Sequence, residues 1–407
     1  MTQHNGKTRD AAHLAEEGRD SFLAGDYTKS IEYSTKAIEL DPACVPAYYN
    51  RAMTYEKLAR FDDAVNDYGR AVELDPNNAL AYSNRGLLHH TLGRYKDAIA
   101  DFTKAIELDP NCIPAYYNRG NSRSALGRQE AAVVDYTKAI EISPDDANFY
   151  CNRGVTYEML GRYDDARADY DRALEIDPRH ALAYYNRGVL NGRLARHEEA
   201  VRDYGKAIEL KPDYALAYIN RGVSHERLDR LNDAIRDHTR AIELDPKLAL
   251  AYYNRGVCRE KLAHYDDAIR DYTSAIERDA KYAKAHNNRA CVYYQTGDYQ
   301  KALQDVAVTL MLAPDYPEAL DTRANVYRKM GRYDEALADI ERAIEVDPEN
   351  PISYCTRGLI QRGRGQEDKA IMDLTFACER GVKEACDALE EIAGVEEGGK
   401  WGYKKDP

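Results

Sequence analysis

The chain has 407 residues, 44% of them apolar and 31% charged, with 70 acidic against 57 basic side chains and a net charge of −13. That balance argues against a nucleic-acid groove, which needs a basic excess to displace counterions, and no run of about 18 apolar residues exists to span a membrane. No P-loop, GxGxxG, HExxH or G-x-S-x-G motif occurs, so no enzyme activity, cofactor or metal is expected.

The N-terminus, Met1–Asp10, is polar and lacks the apolar stretch of a secretory signal. Residues 1–10 read as a flexible arm. From Ala11 a frame of 34 residues recurs eleven times without insertion, to about Glu384. A fixed period of this length marks stacked supersecondary units.

The second copy, Val45–Asn78, shows what one unit contains. Tyr48, Ala52, Tyr55 and Leu58 fall at the spacing of one helix face. Ala59-Arg60 follows, at a site that is glycine in most copies: Gly25, Gly93, Gly127, Gly161, Gly297, Gly331 and Gly365. Glycine there supplies the left-handed conformation that ends a helix. A second stripe runs through Ala64, Val65, Tyr68, Ala71, Val72 and Leu74, and Asp75-Pro76 stops it. Position eight of the frame is always Gly or Ala, and position twenty is Ala in every copy after the first. Two helix backbones are therefore expected to cross antiparallel at these small residues. The fold class that follows is all-α, an α-solenoid of helix pairs.

Tyr at position four, Gly or Ala at eight, Ala at twenty and twenty-seven, an aromatic at twenty-four and a closing Asp-Pro resemble the tetratricopeptide repeat. The resemblance spans residues 11–384. It implies a right-handed superhelix whose concave face is lined by the first helix of each pair. One departure is consistent: the family usually has Leu at position seven, and here ten copies have Arg.

Three columns are candidates for function. Position six is Asn in eight consecutive copies: Asn50, Asn84, Asn118, Asn152, Asn186, Asn220, Asn254 and Asn288. An amide can pair with a peptide C=O and N–H together, and the column resembles the asparagine ladder of the O-GlcNAc transferase repeat domain and of importin alpha. The competing reading is that these amides bond the neighbouring repeat's backbone. Position five is Tyr in alternate copies, Tyr49, Tyr117, Tyr185 and Tyr253. They are either aromatic platforms in the groove or a trace of pairwise duplication. Position seven, from Arg51 to Arg357, and position twenty-three, from Asp67 to Asp373, are expected to form structural ion pairs, within a repeat or to its neighbour. A row of groove arginines for acidic ligands is the alternative.

The eight cysteines show no CxxC and no fixed short spacing. They read as separate thiols in a reducing, cytoplasmic setting. His197, His225, His238 and His286 replace Tyr of other copies and read as core substitutes. Toward the end, Asp279-Ala280 lacks the proline of most junctions. Residues 381–393 read as a polar capping helix. Residues 394–407 read as a disordered tail, with a short linear motif at Trp401 and Tyr403 as the functional alternative. The function expected is a scaffold binding extended segments of partner proteins in a concave groove. The alternatives are a self-assembling solenoid and a chaperone adaptor.

Overall fold

A computed structural model of the chain describes residues 2–393. The expected tail, 394–407 with its motif at Trp401 and Tyr403, lies outside the described residues. About 80% of the chain is helical, and no strand occurs among the described residues. The helices group into two compact units, Met1–Leu210 and Lys211–Pro407.

The first unit holds α1 (Thr2–Leu23), α2 (Tyr27–Leu40), α3 (Val45–Lys57), α4 (Phe61–Leu74), α5 (Ala79–Thr91), α6 (Tyr95–Leu108), α7 (Ile113–Ala125), α8 (Gln129–Ile142), α9 (Ala147–Met159), α10 (Tyr163–Ile176), α11 (Ala181–Arg193) and α12 (His197–Leu210). The second holds α13 (Ala215–Arg227), α14 (Leu231–Leu244), α15 (Ala249–Lys261), α16 (Tyr265–Arg278), α17 (Ala283–Gln295), α18 (Tyr299–Leu312), α19 (Pro317–Lys329), α20 (Tyr333–Val346), α21 (Pro351–Gly363), α22 (Glu367–Glu379) and α23 (Lys383–Ile392). Residues 2–10, expected as a flexible arm, are instead the first turns of α1. Once a helix is nucleated by packing, as α1 is at buried Ala11 and Ala15, each further residue adds a hydrogen bond at little cost.

In both units each odd helix pairs with the even helix after it, and that helix packs on the next odd one. The turn inside a pair needs a left-handed residue. Glycine supplies it at Gly25, Gly93, Gly127 and their equivalents. Where the copy lacks glycine, Ala59, Ala195, Asp229 and Ala263 adopt the same conformation, at φ 56° to 58°. The even helices α2, α4, α6, α10, α14 and α16 end in an Asx turn. Asp75 Oδ1 accepts the Asn77 N–H at 3.2 Å, and Asp245 Oδ1 that of Lys247 at 3.0 Å. Asp279, which has no proline after it, makes the same turn with Lys281 at 3.0 Å, so α16 ends in register.

The small residue at position eight makes room for the side chain of position twenty-four, a ring in most copies. At Gly18 and Gly358 the facing position-twenty carbonyls of Ser30 and Ala370 would also lie close to an added methyl, at 3.4 and 3.2 Å. A methyl on Gly154 would stand 2.7 Å from the Tyr170 ring, and one on Gly188 2.8 Å from Tyr204. Two of the copies with Ala at this position, Ala290 and Ala324, have the slimmer Val306 and Ile340 in the same cores. Ala52, which shares a core with Tyr68, is the exception.

Successive odd helices also touch: α1 meets α3 and α7 meets α9 in the first unit, and α15 meets α17 and α19 meets α21 in the second. No even helix packs on the next even one among the described residues. Each unit therefore bends toward its odd helices.

At the C-terminal end α23 packs on α21 and α22. The expectation of eight separate thiols is corrected here. Cys378 ends α22, Cys386 opens α23, and the turn between brings their Cα atoms to 4.9 Å, where they form a disulfide. The other six cysteines are free.

Candidate functional site

On each odd helix, positions two, five, six and nine lie on one stripe, because residues three and four apart are helix neighbours. This stripe faces the inside of each unit's bend. Cavities open along it. Between α1, α3 and α5 one of about 550 Å³ is lined by Ala12, Ala15, Pro46, Tyr49, Asn50 and Leu80, among others. A second, of about 340 Å³, includes Asn121, Asn152 and Val155. In the second unit a cavity of about 280 Å³ between α17, α19 and α21 is lined at the same frame positions. Leucines at position two stay open to solvent, with Leu80 64% exposed and Leu250 45%.

The asparagine and tyrosine columns, separate in the sequence, form one network. Asn84 Nδ2 donates to the Tyr49 hydroxyl at 2.8 Å, Asn152 Nδ2 to Tyr117 at 2.8 Å and Asn288 Nδ2 to Tyr253 at 3.3 Å. Each bond joins position six of one copy to position five of the copy before. Copies that follow a non-tyrosine find other acceptors. Asn50 Nδ2 reaches the Ala15 carbonyl at 2.9 Å, and Asn186 Nδ2 the Cys151 sulfur at 3.5 Å. Among the described residues no donor reaches Oδ1 of Asn84, Asn152 or Asn288. Each of these residues is partly exposed. The Asn118 Oδ1 accepts from Asn121 at 3.5 Å. Asn220 is partly exposed and Asn254 buried.

The alternate tyrosines are not free platforms. Each is partly buried with its ring against the aromatic at position twenty-four: Tyr49 on Tyr68, Tyr117 on Tyr136, Tyr185 on Tyr204 and Tyr253 on Tyr272, with centroids 5.4 to 6.0 Å apart. Burial raises the phenol pKa of Tyr49, Tyr117 and Tyr253, and the amide donors oppose it.

A further layer escaped sequence reading. Tyr170 donates to Glu158 Oε1 at 2.6 Å, and Tyr272 to Glu260 Oε2 at 2.6 Å. Burial lifts both carboxyls, and that of Glu56, above the usual range. The signal was available as Glu at position twelve in three of the five copies with Tyr at twenty-four. Asp321, at position five of the tenth copy, was also missed. Burial pushes its pKa up to about 6, against hydrogen bonds from Thr356, Ser353 and Asn325 and the charge of Arg328.

The arginine column is structural. All ten position-seven arginines pair with the position-twenty-three aspartate of their own copy at 2.6 to 2.8 Å. Several also reach back one copy, as Arg153 does to Thr137 Oγ1 at 2.9 Å and Arg289 to Thr273 Oγ1 at 2.8 Å. Each of these side chains thus ties two repeats together, which leucine could not do. The alternative of groove arginines reading acidic ligands is set aside, because their forks are occupied. Among the described residues no three His, Cys, Asp or Glu side chains converge as for a metal, and no helix is long and apolar enough to cross a membrane.

Comparison with known proteins agrees with this geometry. Family models described as "TPR repeat" match residues 60–93, 120–161 and 196–229. Models described as "Tetratricopeptide repeat" match 23–44, 79–112, 147–180, 169–202, 253–317 and 290–361. Among solved structures the chain is similar to the APC/C hetero-tetramer Cut9–Hcn1, at 14% identity over 94% of this chain and 96% of that one, with a TM-score of 0.52. It is also similar to yeast Tom70, at 17% identity over 95% of both chains with a TM-score of 0.43. A third is MamA, at 28% identity over 40% of this chain and 96% of that one with a TM-score of 0.39. The first likeness shows a shared fold.

Proposed function

The chain belongs to the tetratricopeptide-repeat family, and from that premise we propose that it is a protein-interaction scaffold whose odd-helix face holds extended segments of partner proteins. The observation that carries this reading is the cavity of about 550 Å³ that opens on Tyr49 and Asn50 beside the exposed Leu80. An extended peptide needs polar partners for its backbone and apolar burial for its side chains. Position six supplies the first and position two the second. The network refines how the amides act. Their NH₂ groups are held by the preceding repeat, so the carbonyl oxygens of Asn84 and Asn152 are the groups offered to a bound chain. They accept backbone N–H and disregard sequence.

Peptides selected from a random library on the wild-type chain provide the test, with binding followed by fluorescence anisotropy. Replacing Asn84, Asn118 and Asn152 together by Ala is expected to weaken every selected peptide by a similar factor, with helicity unchanged. Wild-type affinity in this variant would make the ladder purely structural. Losses confined to a few peptides would mean that the amides read side chains rather than backbone.

A further inference from the structure

The cavity between α17, α19 and α21 is lined by carboxylates with no basic residue among its described lining residues, whereas the first-unit cavity sets Glu16 and Asp75 beside Arg19. At positions two and five, where the first-unit cavity has Pro46 and Tyr49, it has Glu318 and Asp321. The Asp321 carboxylate is held in place by Asn325 Nδ2 at 2.7 Å and Thr356 Oγ1 at 2.9 Å on one oxygen, and by Ser353 Oγ at 3.3 Å on the other. Among the described residues no Lys, Arg or His forms an ion pair with either carboxylate. Arg328, the cation whose charge Asp321 feels, points instead at Asn325 Oδ1, at 3.0 Å, and at the Tyr294 hydroxyl, at 3.4 Å. Unlike the position-twenty-three aspartates after the first copy, neither carboxylate has an arginine of its own. The opening also has an apolar lip, Ile352, 58% exposed.

The chain carries a complementary segment close by. Residues 394–407, GVEEGGKWGYKKDP, place Lys400, Lys404 and Lys405 around Trp401 and Tyr403. They follow α23, whose last turn is anchored to α21 by Arg362 and Glu391 at 2.8 Å. The charge of Glu384, at the start of α23, reaches Tyr294 in the cavity wall. From α21 the α19 wall is one helix spacing away, about 10 Å. The 14 residues extended span up to about 45 Å. Reach is therefore ample, and the two halves of the segment, divided by Gly398-Gly399, differ in sign, with Glu396 and Glu397 before the lysines.

We propose that residues 394–407 are a built-in ligand of this cavity, with the lysines beside Trp401 facing Glu318 and Asp321 and the Trp401 ring on the lip at Ile352. The docked segment occupies part of the odd-helix face in the second unit and competes there with any cationic segment from another protein. The docking itself does not depend on partner binding.

Trp401 is the only tryptophan of the chain, so its fluorescence reports the docking directly. Acrylamide quenching of the intact chain is compared with quenching of a free peptide of residues 394–407. Trp401 is expected to be several-fold less accessible in the chain, at all protein concentrations, and to lose that protection in high salt. Glu318 is exposed, so Glu318→Lys leaves the fold intact, which circular dichroism checks. This variant is expected to release Trp401, as is Lys404→Glu with Lys405→Glu. Combining the reversals is expected to restore protection. Quenching equal to that of the free peptide overturns the proposal, and so does protection that Glu318→Lys leaves unchanged. Protection that grows with protein concentration would overturn it in favour of a tail docked on a second copy.

Discussion

Asn152 on α9 donates a side-chain N–H to the hydroxyl of Tyr117 on α7, 35 residues earlier and one repeat away, at 2.8 Å. The bond fixes the amide and leaves its carbonyl toward the cavity side. Removing the hydroxyl alone, by Tyr117→Phe, is expected to destabilise the first unit by about 1 kcal/mol, the net worth of one partly buried hydrogen bond. A shift of the urea midpoint measures it. No shift would mean that the Asn121 carbonyl, 3.1 Å from the same Asn152 nitrogen, replaces the lost acceptor in full.

The Arg187–Asp203 pair is bidentate, with Nε–Oδ2 at 3.0 Å and Nη2–Oδ1 at 2.6 Å, and Arg187 Nη1 also reaches Asp171 at 2.7 Å. Asp203 is buried. Arg187→Leu alone should cost about 3 kcal/mol by stranding that carboxylate. The double-mutant cycle with Asp203→Leu should give coupling above about 0.5 kcal/mol in thermal or urea unfolding. Additive effects would show that Arg187 acts through Asp171 instead.

Ala59, Ala195 and Ala263 adopt left-handed turns that glycine occupies elsewhere. An L-residue pays about 1–2 kcal/mol for this conformation, and glycine's extra unfolded-state entropy offsets part of the gain. Each Ala→Gly change is expected to raise stability by about 0.5 kcal/mol or more, read as a higher melting temperature. The same change at Ala234, inside α14, should lower it by about 1 kcal/mol.

His238 fills the position-twenty-four slot with 0% exposure, and neither ring nitrogen has a partner. Burial pushes its pKa down to about 3, helped by the charges of Arg255 and His225. A histidine held neutral in the fold takes up a proton on unfolding. Its contribution is intact above the ordinary value of 6.5 and is lost as pH falls from there toward 3. Between pH 7 and 5 this loss is about 2 kcal/mol. His238→Phe, the choice of Phe102 in the third copy, is expected to stabilise at pH 7 by relieving two unsatisfied nitrogens. The gain should be larger at pH 5. Melting curves of the two proteins at both pH values check it, and a gain that does not grow on acidification would assign the acid sensitivity to His89, His90 and His225, which burial also holds below the usual range.

Local chemistry made most of the fold legible. The period placed each helix pair, Gly25 and its equivalents placed the inner turns, and Asp41 to Asp347 placed the outer ones. The candidate site was legible only as columns. Asn84 and Tyr49 were singled out for different reasons, and nothing in their spacing says that one bonds the other. Residues with no column, such as Asp321 and Glu318, gave no periodic signal at all.

By itself the sequence determined the repeat, its helical period and its stops, because these depend on backbone conformations set by residues a few places apart. It also made Arg–Asp pairing the expectation, since both columns run unbroken through ten copies; the structure decided that each pair lies within one copy. Only the tertiary structure decided what stands over each glycine, that the Nδ2 groups of Asn50, Asn84, Asn152, Asn186 and Asn288 donate to the preceding repeat, and that Cys378 and Cys386 close a bond. Those outcomes depend on distances between side chains 8 to 35 residues apart in sequence, and a distance of that kind is set by how one helix pair leans on the next.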